Sequence, residues 1–342
     1  MDRRAGTGAL PLHQRTDPIA GAPMIPDLLP LKPYLRETVW GGRSLGTHYN
    51  KALPPGVPIG ESWEISAYKG MESIVADGPL AGQNLADLVA IYGADLLGQR
   101  VIQRYGTEFP LLIKFLDARD DLSIQVHPDD TYTRTENLGT YGKTEAWYIL
   151  KSDQGRVACG LKDGVDKHSL KLSIRENRVQ DTVQFFDVQE GDVIFVPPGT
   201  VHALCQNVMI YEVQQSSDLT FRIYDYNRPG TDGKPRELHI DRALDVIAFD
   251  APAPEPRNSR HEANATLIGA EDTEYFRLER FAPAGIVQHA YPTFAALTVL
   301  AGQAQLNKTF TAQTGDTFFI PANRTVTVSP EEQVEYLISS CG

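Results

Sequence analysis

The stretch Gly191-Asp192-Val193-Ile194-Phe195-Val196-Pro197-Pro198-Gly199-Thr200-Val201-His202 decides how this chain is read. An apolar strand runs into a Pro/Gly turn and a second strand re-enters, so the whole segment is aimed at one histidine. Two candidate partners lie upstream, Ser123-Ile124-Gln125-Val126-His127-Pro128 and Lys143-Thr144-Glu145. Alternate residues of a barrel strand face inward, so Gln125 and His127 can share one interior face while Glu145 and His202 arrive from neighbouring strands.

Such a convergence places two imidazoles and two side-chain oxygens around one point. Neutral imidazole with oxygen donors suits a divalent transition ion, zinc foremost where one coordination position stays open for substrate. A lone histidine after a Pro-Gly turn is ordinarily structural. The full G-x₅-P-x-G-x₂-H pattern, joined by Q-x-H and K-x-E, favours a ligand.

These motifs resemble the cupin barrel. The run Phe109-Pro-Leu-Leu-Ile-Lys114 through Ser123-Ile-Gln125-Val-His127-Pro-Asp-Asp130 resembles, more narrowly, the type I mannose-6-phosphate isomerases in their shorter bacterial form. The likeness continues through Gly142-Lys143-Thr144-Glu145, the His202 segment and Glu212-Val-Gln-Gln-Ser-Ser-Asp218-Leu-Thr-Phe-Arg222, from about Leu31 to Phe249. It implies one zinc ion per chain on Gln125, His127, Glu145 and His202, and interconversion of mannose 6-phosphate and fructose 6-phosphate through a cis-enediolate. Two alternatives stay open: a cupin isomerase for another sugar phosphate, and a non-catalytic sugar-binding or regulatory cupin.

The 342 residues carry a formal charge of −12 and 42% hydrophobic side chains, enough for a sizeable core. That charge, with no basic run, argues against nucleic-acid binding, so a phosphorylated small molecule would need cations gathered locally. No apolar run approaches the roughly 20 residues of a membrane helix, so no membrane partner is expected. Cys159, Cys205 and Cys341 are too few and too irregular for a disulfide framework, and a cytoplasmic location is expected. Cys205 reads as a buried strand thiol.

Short strands dominate: Gly155 to Lys162, Thr182 to Val188, Asp192 to Val196 and Met209 to Gln215 are separated by turn residues. Asn84 can cap a helix that presents Leu85, Leu88, Val89, Tyr92 and Leu96 on one face, and Ile240, Ala243, Leu244 and Ile247 repeat the pattern. The expectation is a mainly β chain. It divides into a flexible tail at 1–23, with Met24 an alternative start, a catalytic cupin (jelly-roll) domain with helical additions at 24–249, and an Ala/Pro-rich linker at 250–262. A degenerate cupin-like β domain follows at 263–342. There Thr314 to Val326 echoes the histidine motif but places Val326 where the histidine would stand, so no second metal site is expected.

Among the remaining site residues, the resemblance makes Arg222 the active-site arginine, which would stabilise an oxyanion or steer the phosphate; a plain ion pair is its alternative. Lys143 is the first choice of proton carrier, its pKa lowered by a neighbouring metal, with Glu212 and Asp218 as alternatives that could instead orient Arg222 or a ligand. Lys114 and Ser123 match substrate-binding positions, although Lys114 could pair with Asp117 or Glu145. Glu61-Ser62-Trp63-Glu64 reads as a structural strand.

Overall fold

A computed structural model of the chain describes residues 23–258 and 262–342. Residues 1–22 of the expected tail and 259–261 of the expected linker fall outside the described residues. Three antiparallel sheets organise the rest, of nine, seven and five strands.

The seven-stranded and five-stranded sheets face one another and form the barrel expected of the first domain. Strands Leu111–Ala118, Glu145–Ser152 and Val208–Gln215 lie side by side at the heart of the larger sheet. Their alternation is the simplest explanation of the site. Met209, Tyr211 and Val213 face outward into the main core, whereas Val208 and Ile210 belong to the barrel interior. Period-2 geometry therefore carries Glu212 to the interior as well. By the same rule Leu111, Ile113 and Phe115 point out while Leu116 and Ala118 point in, which sends Lys114 inward. Ala146, Tyr148 and Leu150 point out while Trp147 and Ile149 point in, which sends Glu145 inward.

The smaller sheet has the order Phe221–Tyr224, Ile124–Val126, His202–Leu204, Arg156–Leu161, Val183–Asp187. Its register places Arg222 and His202 on either side of Gln125. Helices Lys167–Arg175 and Ile240–Val246 cover its outer face through Leu170, Ala243 and Leu244.

Gly199 makes the turn of the opening motif. It has φ +84°, and a Cβ there would stand 2.9 Å from the Val246 carbonyl oxygen. Only glycine fits without displacing backbone. Its N–H donates to the His127 carbonyl at 2.9 Å, which ties the two histidine-bearing segments together.

Asn84 caps the Leu85–Tyr92 helix as expected, its side chain accepting from the Asp87 N–H at 2.8 Å. Leu96 lies in a separate turn, Ala94–Leu97, beyond a break at Gly93. The nine-stranded sheet is built mostly from residues after 263, including Ala295–Leu306 and the long Thr325–Cys341 strand. It also takes in Leu29–Lys32, which pairs with Thr317–Ile320. Hydrogen bonding thus crosses the boundary expected near 250. One apolar core likewise joins Leu29, Ile113, Tyr211, Phe294, Phe319 and Leu337. Within the expected linker, Arg257–Asn258 pairs with Asp192 and Val193 as an edge strand. Val326 is buried opposite His289, and among the described residues the single metal-competent cluster is the one in the first barrel.

Candidate active site

His127, Glu145 and His202 bring one ligand atom each within 4.8 Å of one another, all buried. His202 sits directly opposite Gln125 in the smaller sheet, and His127 follows at the end of the Gln125 strand. Glu145 does not arrive from a neighbouring strand of that sheet: it opens a strand of the facing one. The site is therefore a bridge between sheets.

Each imidazole has its tautomer fixed by a carbonyl, which can only accept. His127 Nδ1 donates to Leu219 O at 2.7 Å, and His202 Nδ1 donates to Thr200 O at 2.9 Å. Both Nε2 atoms are left as lone pairs, the arrangement that outer hydrogen bonds give metal-binding histidines. His202 Nε2 lies 3.3 Å from Glu145 Oε1, an oxygen that receives no hydrogen bond from any described donor. A cation beside that imidazole nitrogen and the buried oxygen would be favourable. The Lys143 ammonium partly supplies one, donating to His127 Nε2 at 3.0 Å and standing 2.7 Å from Glu145 Oε2. The donor set thus fits a divalent ion, with the ammonium standing in for part of its charge.

Gln125 is adjacent but turned. Its amide nitrogen faces His202 Nε2 at 3.3 Å and its oxygen accepts from Ser123 Oγ at 3.2 Å. The amide must flip for its oxygen to join the ligand set.

Burial, followed by the Lys143 charge, holds both histidines neutral: His127 lies well below the ordinary imidazole range and His202 at about 4. Burial opposes the charge of Lys143, but Glu145 and Glu212 outweigh it and hold the ammonium above its usual range. Among the chain's own groups the balance thus keeps the lysine protonated. It also lies just before its strand rather than on it.

Glu212 has the complementary character. Burial and the neighbouring Glu145 charge raise its carboxyl, with Lys143 and Lys114 offsetting only part of the effect. Its Oε1 accepts from Trp147 Nε1 at 2.9 Å, while Oε2 has no hydrogen-bond donor among the described residues.

These groups line a cavity of about 180 Å³. Its walls carry five cations (Arg36, Lys114, Lys143, Arg222, Arg236) against four carboxylates (Glu61, Glu145, Glu212, Asp218), in a chain of net charge −12. Arg222 donates from Nε to Ser123 Oγ and from Nη1 to the Glu237 carbonyl, both at 3.2 Å. Burial and the nearby Arg236 lower its pKa, and no described carboxylate forms an ion pair with it. Ser123 therefore links Arg222 to Gln125. Lys114 pairs with Glu61 at 3.4 Å and Glu212 at 3.5 Å rather than with Asp117 or Glu145. Asp218 is engaged by Arg36, not by Arg222 or a ligand.

Arg36, Glu61 and Arg236 are wall residues that sequence reasoning missed. For Glu61 a signal existed: it shares a strand face with Trp63, which pairs with Lys114, and Glu61 and Lys114 both line the cavity. Burial opposes its charge, yet Lys114 and Arg36 hold it below the ordinary carboxylate range. Arg36 and Arg236 carry no local motif.

Comparison with known proteins points the same way. Residues 28–162 match the family model described as phosphomannose isomerase type I, catalytic domain. The chain is 34% identical over 302 residues to the probable mannose-6-phosphate isomerase GmuF of Bacillus subtilis, covering 86% of this chain and 93% of that protein. It is 33% identical to the mannose-6-phosphate isomerase of Streptococcus mutans, covering 85% and 91%. The crystal structure of the mannose 6-phosphate isomerase from Bacillus subtilis superposes with a TM-score of 0.81 at 30% identity, over 92% of this chain and 99% of that one. A putative mannosephosphate isomerase from Archaeoglobus fulgidus shares the fold at a TM-score of 0.74 and 20% identity, over 92% and 97%.

Proposed function

Because the chain belongs to the type I phosphomannose isomerases, we propose that its barrel cavity binds one zinc ion and interconverts mannose 6-phosphate and fructose 6-phosphate through a cis-enediolate. Gln125, His127, Glu145 and His202 would hold the ion. The observation that carries this reading is the convergence of His202 Nε2, 3.3 Å from the undonated Glu145 Oε1, and His127 Nε2, 3.6 Å from Oε2, beside a cation-lined cavity. When bound, zinc would supply positive charge against the negative charge that develops on the sugar oxygens.

The chain's own groups divide the remaining work. Glu212 presents an undonated carboxylate oxygen with a raised pKa, suited to taking the proton from C2 and returning it to C1. Lys143, held protonated, can donate to a sugar oxygen as charge builds there. Arg222 has no carboxylate ion-pair partner among the described residues and keeps a guanidinium face for the enediolate oxygen or the phosphate. Lys114 is restrained by Glu61 and Glu212 and, with Ser123, would fix the sugar against the wall.

A panel of hexose and pentose phosphates tests the substrate assignment. Mannose 6-phosphate should have the highest kcat/KM; preference for another aldose phosphate would keep the site and change the substrate. No turnover of any aldose phosphate by zinc-loaded protein would favour a binding role.

A further inference from the structure

From Asp218 to Thr220 the chain leaves the β ladder between Val208–Gln215 and Phe221–Tyr224. Among the described residues, two polar attachments hold this segment to the body of the barrel. One is the fork of Arg36, whose Nη1 reaches Asp218 Oδ1 at 3.2 Å and Oδ2 at 3.1 Å. The other is the bond by which Leu219 O accepts from His127 Nδ1 at 2.7 Å. A third bond, from Leu219 N–H to Ser217 Oγ at 3.4 Å, is internal to the loop.

Arg36 is itself well anchored. It lies directly across from Glu61 in the strand register, with 3.7 Å between the charged groups, and its guanidinium sits 5.5 Å from the centre of the Trp63 ring. The carboxylate it grips and the carbonyl that fixes the tautomer of His127 belong to consecutive residues, Asp218 and Leu219. Arg36 also supplies the direct ion pair of Asp218, a carboxylate on the wall of a cavity meant for an anion.

We infer that Arg36 is a positioning residue for the metal site: by holding Asp218 it holds the Leu219 carbonyl, which fixes the orientation and tautomer of His127. The polar contacts of Arg36 are with Asp218 and Glu61, not with the ligand atoms. Its influence passes through the loop. The inference rests on His127 being a metal ligand but not on which sugar phosphate is turned over.

Zinc affinity of the full-length protein, measured by competition with a chromophoric chelator at about pH 7.5, tests it without recourse to activity. Arg36→Met and Asp218→Asn should each weaken zinc binding roughly tenfold, the lower end of what loss of an outer-shell partner causes, and the double variant should lose no more than either single one. Asp218→Asn is nearly isosteric, so it carries the test alone should Arg36→Met fail to fold. Zinc affinity within twofold of wild type in either single variant overturns the inference, and a raised KM for mannose 6-phosphate would then make Arg36 a substrate ligand. A double variant weakened about a hundredfold shows independent effects and overturns it equally. If wild-type protein binds no zinc, the metal reading falls and takes this inference with it; normal wild-type affinity with unaltered variants refutes the inference alone.

Discussion

His202 Nε2 and Glu145 Oε1 stand 3.3 Å apart on facing sheets with no proton to share, because the imidazole proton is on Nδ1 and is donated to Thr200 O. The barrel keeps this pair buried, and burial with the Lys143 charge holds the ring neutral to about pH 4. Zinc therefore need not displace a proton from His202, or from the similarly lowered His127, at mildly acid pH. Lowering the pH from about 7.5 to 5.5 should leave the zinc dissociation constant within a few fold, once corrected for the competing chelator. Two histidines of ordinary pKa would lose about a hundredfold over that range. A loss of that size would show that the imidazoles titrate normally.

Arg222 is expected to act on the reaction rather than on the metal. Arg222→Lys keeps the charge but loses the planar fork that reaches both Ser123 Oγ and the Glu237 carbonyl. Its kcat should fall by roughly 10²-fold with zinc content unchanged, as for removal of one oxyanion donor. A rise in KM alone would assign the guanidinium to ground-state phosphate binding.

Proton transfer separates Glu212 from Lys143. Mannose 6-phosphate converted in heavy water should yield fructose 6-phosphate carrying some deuterium at C1, because a carboxyl that holds the C2 proton can exchange it before return. Glu212→Gln should abolish both turnover and exchange while zinc remains bound. Lys143→Met should slow turnover but leave exchange per turnover detectable. The opposite pattern would return the base role to Lys143, and absence of label in wild type would point to a shielded base or a hydride shift.

A buried ion pair of the first unit receives a strand of the second through Thr317. Lys51 Nζ meets Glu64 Oε2 at 2.7 Å, and Glu64 also accepts from Ser62 Oγ at 2.6 Å and Thr317 Oγ1 at 2.8 Å. Lys51→Met leaves that carboxylate without its cation, which should lower stability by about 3 kcal/mol in denaturant unfolding. The two hydroxyls place the loss at the lower end of the range for a broken buried pair. A change below about 0.5 kcal/mol, the scale of an exposed pair, would show that water reaches Glu64.

Much of this was legible in the sequence because ligand chemistry and strand period are both local. Asp192–Val196 forms the expected strand, Gly199 makes the turn, and His202 lands beside Gln125. The facing-sheet origin of Glu145 was not legible, since period-2 alternation gives the side of a strand but not its sheet. Nor was the role of Arg36, which depends on a contact to Asp218 across 182 positions of sequence. The edge strand Arg257–Asn258 escaped notice because its Pro-rich surroundings read as a linker.

The central claim is a catalytic zinc shared by His127, Glu145 and His202, and anomalous diffraction recorded on both sides of the zinc absorption edge tests it most directly. The account predicts one peak per chain, roughly 2.0–2.2 Å from both Nε2 atoms and a Glu145 oxygen, lost together with isomerase activity after chelation and regained with it on adding zinc. Full activity in crystals or solution of protein that shows no such peak would contradict it.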